Sequence, residues 1–269
     1  MAKIQAIYRY PIKGLSPERL ERAALRPGQT VTGDRLYAIE NGPSGFDPAA
    51  PAYLAKTHFL MLMRNERLAQ LHSAFDQDTH VLTIETAALP SAFREEDGVR
   101  STPGKGLIVS GDLRTADGRA AIERFFADFC ADDLRGPPKV LHAEGHSFSD
   151  VARKVVSIIN LASVAAVADM VGAPVNPLRF RGNLYVEGWP AWSELDLVGR
   201  ELTIGRGIRL KAVKRIVRCA ATNVDPDTAR RDLNIPQTLM RNLDHADCGI
   251  YGEVVSGGEI AVEDGIAMS

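Results

Sequence analysis

Hydrophobic and polar positions along this chain follow two textures. In the N-terminal third, short β-branched and aromatic runs alternate with turn residues. Ile4 to Tyr10 predicts a strand limited by Pro11. Leu20 to Leu25 precedes the turn signal Arg26-Pro27-Gly28, and Arg35 to Ile39 predicts a strand broken by Asn41-Gly42-Pro43. Leu68 to His72 and His80 to Glu85 flank Phe75-Asp76-Gln77-Asp78, which predicts a hairpin. Short strands with frequent turns predict a barrel or a sandwich. Further along, helical spacing takes over in three places. Ile122, Phe125, Phe126 and Phe129 lie three and four apart within Arg119 to Phe129. Asn160 to Val171 has Asn160 as an N-cap and Gly172 as a C-terminal stop. Ile235 to Leu243 carries Pro236 in its first turn. Strands are predicted at Asn183 to Glu187, Glu201 to Ile204, Ile208 to Arg215 and Gly249 to Val255.

Composition narrows the classes. A chain of 269 residues has room for one large domain or two smaller ones. The Gly-rich, polar stretch from Gly104 to Asp117 is the expected break, which divides the chain into 1–110 and 111–269. A net charge of −2 supplies no global basic field for nucleic acid. The longest apolar stretch, Val155 to Val171, is interrupted by Ser157, Asn160, Ser163 and Asp169, so no membrane span is expected. The N-terminus enters a strand-like run with no secretory signal. Three cysteines form no disulfide framework, which fits a reducing, cytoplasmic setting.

Cys219 is the strongest chemical candidate. It follows Arg215 and Arg218 and precedes the polar turn Thr222-Asn223-Val224-Asp225-Pro226. Nearby cations stabilise a thiolate, the form that attacks and ligates. The competing role is that of a buried small hydrophobe, the usual fate of a free cysteine. Phe180-Arg181-Gly182-Asn183 combines an anion-binding guanidinium, a glycine that lets a ligand approach, and an amide that donates and accepts; a plain turn before a strand competes with that role. Lys13, in Tyr10-Pro11-Ile12-Lys13-Gly14, and Arg35 add cations near predicted strand ends. The helix start at Asn160 and Ser163 offers backbone N–H groups to an anion, or is simply a cap. His245-Ala246-Asp247-Cys248 fits no zinc spacing.

Taken together, these motifs resemble the MOSC superfamily, the proteins similar to the C-terminal domain of molybdenum cofactor sulfurases. Tyr10-Pro11-Ile12-Lys13-Gly14-Leu15 and Gly33-Asp34-Arg35-Leu36-Tyr37 resemble its N-terminal β-barrel module. Phe180-Arg181-Gly182-Asn183-Leu184, Trp192-Ser193-Glu194-Leu195, the run from Arg218-Cys219 to Asp227-Thr228, and Asp247-Cys248-Gly249-Ile250-Tyr251-Gly252 resemble its core. The resemblance implies an α+β, mainly β fold: a β-barrel core with an N-terminal β-barrel-like module and a few helices. It implies a molybdenum cofactor (Mo-molybdopterin), with Cys219 as the thiolate ligand, a soft donor suited to that metal. Lys13, Arg35 and Arg181 match positions that contact the pterin phosphate. Asn183, Asn160 and Ser163 would hold the pterin or phosphate, with Arg218 and Thr222 also at the cofactor. Asp225 would be an acid/base or ring-positioning group, with a turn role competing. Pyridoxal phosphate binding is a further association at family level.

The amidoxime-reducing branch of that superfamily implies oxygen removal from small N-hydroxylated substrates. Three cysteines cannot hold a four-cysteine iron–sulfur cluster while one binds molybdenum, so a separate electron-transfer protein is expected. One departure stands out. Where the family shows Thr-x-Arg after Phe59-Leu60, this chain has Met61-Leu62-Met63 before Arg64. Two other functions compete. One is a sulfur carrier that holds a persulfide on Cys219 for a sulfur-accepting metalloenzyme. The other is a scaffold whose barrel binds a partner.

Overall fold

A computed structural model describes residues 1–86, 100–102 and 105–268. Among them the strands are β1 (Ala2–Arg9), β2 (Glu18–Leu20), β3 (Arg22–Leu25), β4 (Ala38–Glu40), β5 (Leu71–Phe75), β6 (Val81–Thr86), β7 (Arg100–Thr102) and β8 (Lys105–Asp112), followed by helix α1 (Ala116–Phe129). Then come β9 (Lys139–Leu141), β10 (Val156–Asn160), α2 (Leu161–Val171), β11 (Leu184–Glu187), β12 (Glu201–Ile204) and β13 (Ile208–Val217). Helix α3 (Ile235–Leu243), β14 (Asp247–Ser256), β15 (Gly258–Ala261) and β16 (Gly265–Met268) complete the chain. Residue 104, at the start of the expected break, lies outside the described residues; 105–117 carries β8 and the first residues of α1.

Seven strands close into a barrel in the order β11-β10-β14-β13-β12-β16-β1, with β1 pairing back onto β11 and β2 added outside β1. Closure leaves these seven strands without a free edge. The chain's first strand therefore sits between two strands from its C-terminal half, β11 and β16. Inward-facing Ile4, Val156, Ile158, Leu184, Val186, Leu202, Leu210 and Ile250 fill the interior, all fully buried. Along β13 burial alternates from Ile208 through Leu210 and Ala212, as a strand with one buried face requires. A second layer lies outside the barrel, where α2 and α3 pack Val164, Val167, Ile235 and Leu239 against Ile159, Phe180 and Tyr185.

The second core belongs to the sheet β5-β6-β8-β7 and to α1. Helix α1 presents Ile122, Phe125, Phe126 and Phe129 to this sheet, as their spacing predicted. It starts three residues before Arg119, because the Thr115 side chain accepts from the Gly118 N–H and caps it. The hairpin forms from β5 and β6, while Glu66–Gln70 is a 3-10 turn. The strand expected from Arg35 starts only at Ala38, because Arg35 has a left-handed backbone at φ 53°. The Asn160 cap and the Gly172 stop both form, the latter at φ 70°. Strand β10 lies inside the apolar run that the sequence joins to α2, and all five of its residues are buried.

Candidate functional site

The barrel and the second core meet over a cavity of about 270 Å3. Three segments build much of it. Strand β13 delivers Lys214 to Val217 and then Arg218 and Cys219. The 3-10 turn at Pro177–Phe180 ends on Arg181, and the segment after β1 brings Lys13 and Gly14.

Cys219 starts a 3-10 turn, Ala220–Asn223, and its backbone is held by that turn. Thr222 donates to the Cys219 carbonyl twice, through its N–H at 3.0 Å and its hydroxyl at 2.9 Å. Thr222 is buried at the cavity wall, where these bonds hold the Cys219 backbone. The cysteines differ sharply in setting. Burial pushes the Cys130 and Cys248 thiols up to about 12. Cys219 is half-buried and lines the cavity.

The cation at its sulfur is not the one expected from sequence. Arg218 donates to the Cys248 carbonyl, at 2.7 Å from Nε, and to the Phe180 carbonyl at 3.0 Å. Arg215 donates to the Leu195 carbonyl at 3.1 Å. Backbone oxygens thus take the Arg218 donors and the Arg215 Nε, while the rest of Arg215 pairs with Asp196 and Asp247. Instead, Lys56, from a distant segment, places Nζ 3.1 Å from Cys219 Sγ. Burial works against the Lys56 charge, but Asp150 and Cys219 outweigh it and hold the group above its ordinary value. Asp150 pairs with Lys56 at 3.6 Å and with Lys13.

Lys13 is 5% exposed and also donates to the Phe148 carbonyl at 2.9 Å. Burial pulls its pKa down, only partly offset by Asp150. Arg35 pairs with Asp34 and donates to the Arg181 carbonyl at 3.2 Å. Asp34 in turn accepts from the Tyr10 N–H at 2.8 Å, which fixes this pair at the end of β1. The Arg35 and Arg181 guanidiniums both lie over the Tyr10 ring, 4.9 and 4.2 Å from its centroid.

Arg181 is the most telling of the set. Its backbone is left-handed at φ 49°, an uncommon conformation for a residue with a side chain. Gly182 follows because a Cβ there would lie 2.3 Å from Ile159 Cγ1. Among the described residues the Arg181 guanidinium has no hydrogen-bond or ion-pair partner. Burial lowers its pKa, and Arg35 adds to that. A half-buried guanidinium with no carboxylate or carbonyl partner has its donors free for an anion.

Other expected site residues are placed differently. Asn183 lines the cavity, but its side-chain oxygen accepts from Ser157 N–H and Oγ at 3.0 and 2.8 Å, and its amide donates to the Tyr8 carbonyl at 3.1 Å. It stitches β1 to β10. Asn160 and Ser163 are fully buried and do not line the cavity. Both donate to Glu194 Oε2 at 2.8 Å, so the anion at this helix start is the protein's own carboxylate. Asp225 also lies off the cavity wall. It accepts from Asp227 and Thr228 within its turn and from Arg179 at 2.8 Å. These bonds hold Asp225 within its turn and against Arg179.

Sequence reading missed Lys56 and Asp150. Neither sits in a patterned run, and Lys56 lies 163 residues from Cys219. The cavity as a whole is lined by eight basic side chains and two carboxylates. Three of the eight are spent elsewhere on carboxylates or carbonyls only, namely Arg179, Arg215 and Arg218. No group of three or more His, Cys, Asp or Glu side chains among the described residues is arranged to hold a metal ion. No helix among them is long and apolar enough to cross a membrane.

A closed barrel beside a second core, with one accessible thiol in a basic cavity, defines a mainly β protein with a cation-lined site. Family comparison makes this specific. Residues 1–133 match the MOSC N-terminal beta barrel domain and residues 143–267 match the MOSC domain. The chain belongs to the MOSC family, which is associated with molybdenum-cofactor-related function. Comparison with curated proteins found no match. Among solved structures, it is similar to the YUAD protein from Bacillus subtilis at 13% identity and a TM-score of 0.43, covering 98% of this chain and 93% of that one. It is also similar to YiiM from Geobacillus stearothermophilus at 14% identity and a TM-score of 0.34, covering 42% and 53% respectively.

Proposed function

We propose that this protein holds a molybdopterin-type molybdenum cofactor in the Cys219 cavity and reduces small N-hydroxylated molecules with electrons from a separate donor protein. The observation that carries this reading is the cavity's charge. A chain of net charge −2 gathers basic side chains around its one cavity-lining thiol. The donor set suits the group. Cys219 offers a soft sulfur ligand. Arg181 offers an unpaired, planar guanidinium to a phosphate, with Lys13 and Arg35 beside it. When bound, the cofactor would supply the two-electron chemistry that removes the N–OH oxygen.

The chain's own residues prepare that site. Thr222 fixes the carbonyl of Cys219 and so the direction of its side chain. Lys56 places its ammonium 3.1 Å from Cys219 Sγ, where it donates to the sulfur. Asp150 anchors Lys56 and Lys13 together, which keeps two ammonium groups in one cavity at reduced mutual repulsion. The Arg179 ion pairs hold the loop after Cys219 against the turn that carries Arg181.

Elemental analysis tests the reading. Protein from a cofactor-competent host should carry stoichiometric molybdenum, and Cys219→Ser and Arg181→Met should lose most of it while staying folded. Folded wild-type protein that holds no molybdenum, and stays empty on reconstitution, would sink it. A second reading is supported by the same Lys56 contact: an ammonium at 3.1 Å would equally stabilise a persulfide anion on Cys219 for delivery to a sulfur-accepting metalloenzyme. A mass gain of one sulfur atom, located on Cys219 and lost in Cys219→Ser, would favour that alternative.

A further inference from the structure

A second cavity, of about 240 Å3, adjoins the first. Gly14, Leu62, Arg179, Arg181 and Ala221 line both, so the two share a wall. Their chemistry is opposite. The inner wall of the second is formed by Leu15, Leu68, Leu71 and Val224, none more than 2% exposed. Several polar groups along it are already committed, although the buried Arg179 Nε has no partner among the described residues. The Ser16 hydroxyl donates to the Leu71 carbonyl at 2.9 Å, and Arg179 is paired with Asp225 and Asp232. His72 and Asp227 also line it but are exposed. Arg181, on the shared wall, brings the unpaired cation.

We propose that this cleft takes the apolar body, an aryl or short alkyl group, of the substrate whose polar end lies in the Cys219 cavity. The inference rests on that cavity being the reaction site. Three observations support it. The apolar inner wall of Leu15, Leu68, Leu71 and Val224 gains free energy by excluding water from an apolar ligand. Its position against the basic cavity lets one molecule put a polar head on one side and an apolar body on the other. Its size fits as well: an apolar cavity of roughly 150 Å3 holds benzene, so this one has room for a ring with a short substituent.

Ala69 and Leu178 line the cleft and not the basic cavity, which makes them the positions to fill. Benzamidoxime and acetamidoxime share one polar head and differ in the body. Calorimetric titration of metal-loaded wild-type protein, without an electron donor, should show benzamidoxime binding about tenfold tighter or more. Ala69→Trp and Leu178→Trp should each erase that preference while leaving acetamidoxime affinity and molybdenum content unchanged. Metal-loaded wild-type protein with no preference would overturn the proposal, and so would folded Trp variants that keep it. If both variants unfold, methyl NMR of wild-type protein decides: benzamidoxime must shift the Leu68 and Val224 methyls, and unmoved signals reject the cleft. The NMR measurement needs no metal. Protein without molybdenum therefore defeats the cofactor reading, whereas unmoved methyls defeat the cleft.

Discussion

Replacing Arg179 with methionine should cost far more than a surface ion pair would. Its side chain is 2% exposed and holds Asp225 through Nη2 at 2.8 Å, Asp232 through Nη1 at 2.8 Å, and the Asn223 carbonyl at 3.1 Å. Methionine keeps most of the apolar stem, so the loss is electrostatic rather than a cavity. Removing one member of a buried pair costs about 3–5 kcal/mol, because the other charge stays desolvated. Here the two acids behave differently. Asp232 is 45% exposed and can rehydrate, whereas Asp225 is 18% exposed and keeps only its turn donors. That places Arg179→Met near the lower end, about 3 kcal/mol. At about 2–4 °C per kcal/mol for a chain of this order of size, the melting temperature should fall by about 6–12 °C. Urea denaturation and calorimetry read both quantities. Asp232→Asn is the control and should cost less than about 1 kcal/mol, as half-exposed pairs do. Arg179→Met within about 1 kcal/mol of wild type would refute the assignment of Arg179 as the tie between the Cys219 loop and the Arg181 turn.

Iodoacetamide at pH 8 should add a single label to the native protein, on Cys219, because burial holds the Cys130 and Cys248 thiols at about 12; a second label before unfolding contradicts this. Gly182→Ala should destabilise by about 1–3 kcal/mol, since its Cβ would fall 2.3 Å from Ile159 Cγ1, and an unchanged denaturation midpoint would show that the turn yields freely. For Asp150, burial pushes the carboxyl up, but Lys13, Lys56 and Arg35 outweigh it and hold it well below the ordinary range. A depressed carboxylate contributes stability that is present above its unfolded value, about 4, and is lost as pH falls below it. Asp150→Asn should therefore flatten the acid side of the stability profile between about pH 5 and 2, and an identical profile would remove Asp150 from the charge network.

Much of the fold was legible where a local rule acts alone. The spacing of Ile122, Phe125, Phe126 and Phe129 identifies the buried face of α1, and Asn160 and Gly172 mark the ends of α2 through side-chain capping and a left-handed backbone. Pro236 likewise opens α3 at its first turn. Strand β10 was not legible, because a continuously apolar five-residue run next to an apolar helix has no period of its own. Arg35 was read as strand because its neighbours are strand-like, while its left-handed backbone is imposed by the Asp34 pair and by its N–H donating to the Tyr10 carbonyl at 2.8 Å.

The same division runs through the site. By itself the sequence determined that Cys219 is the thiol to watch, that Lys13, Arg35 and Arg181 supply cations, and that β structure dominates, because each follows from residue type, local spacing or motif. Only the tertiary structure decided which cation meets the sulfur. Lys56 reaches Cys219 because the segment before Phe59 folds over the end of β13, and no local pattern encodes a contact across 163 residues. It also decided that Asn160 and Ser163 face Glu194, that Arg218 serves backbone carbonyls, and that β1 closes the barrel from the far end of the chain. The physical reason is shared by all of these. A buried donor or charge must find a partner, and the partner is whatever long-range packing brings within hydrogen-bonding reach.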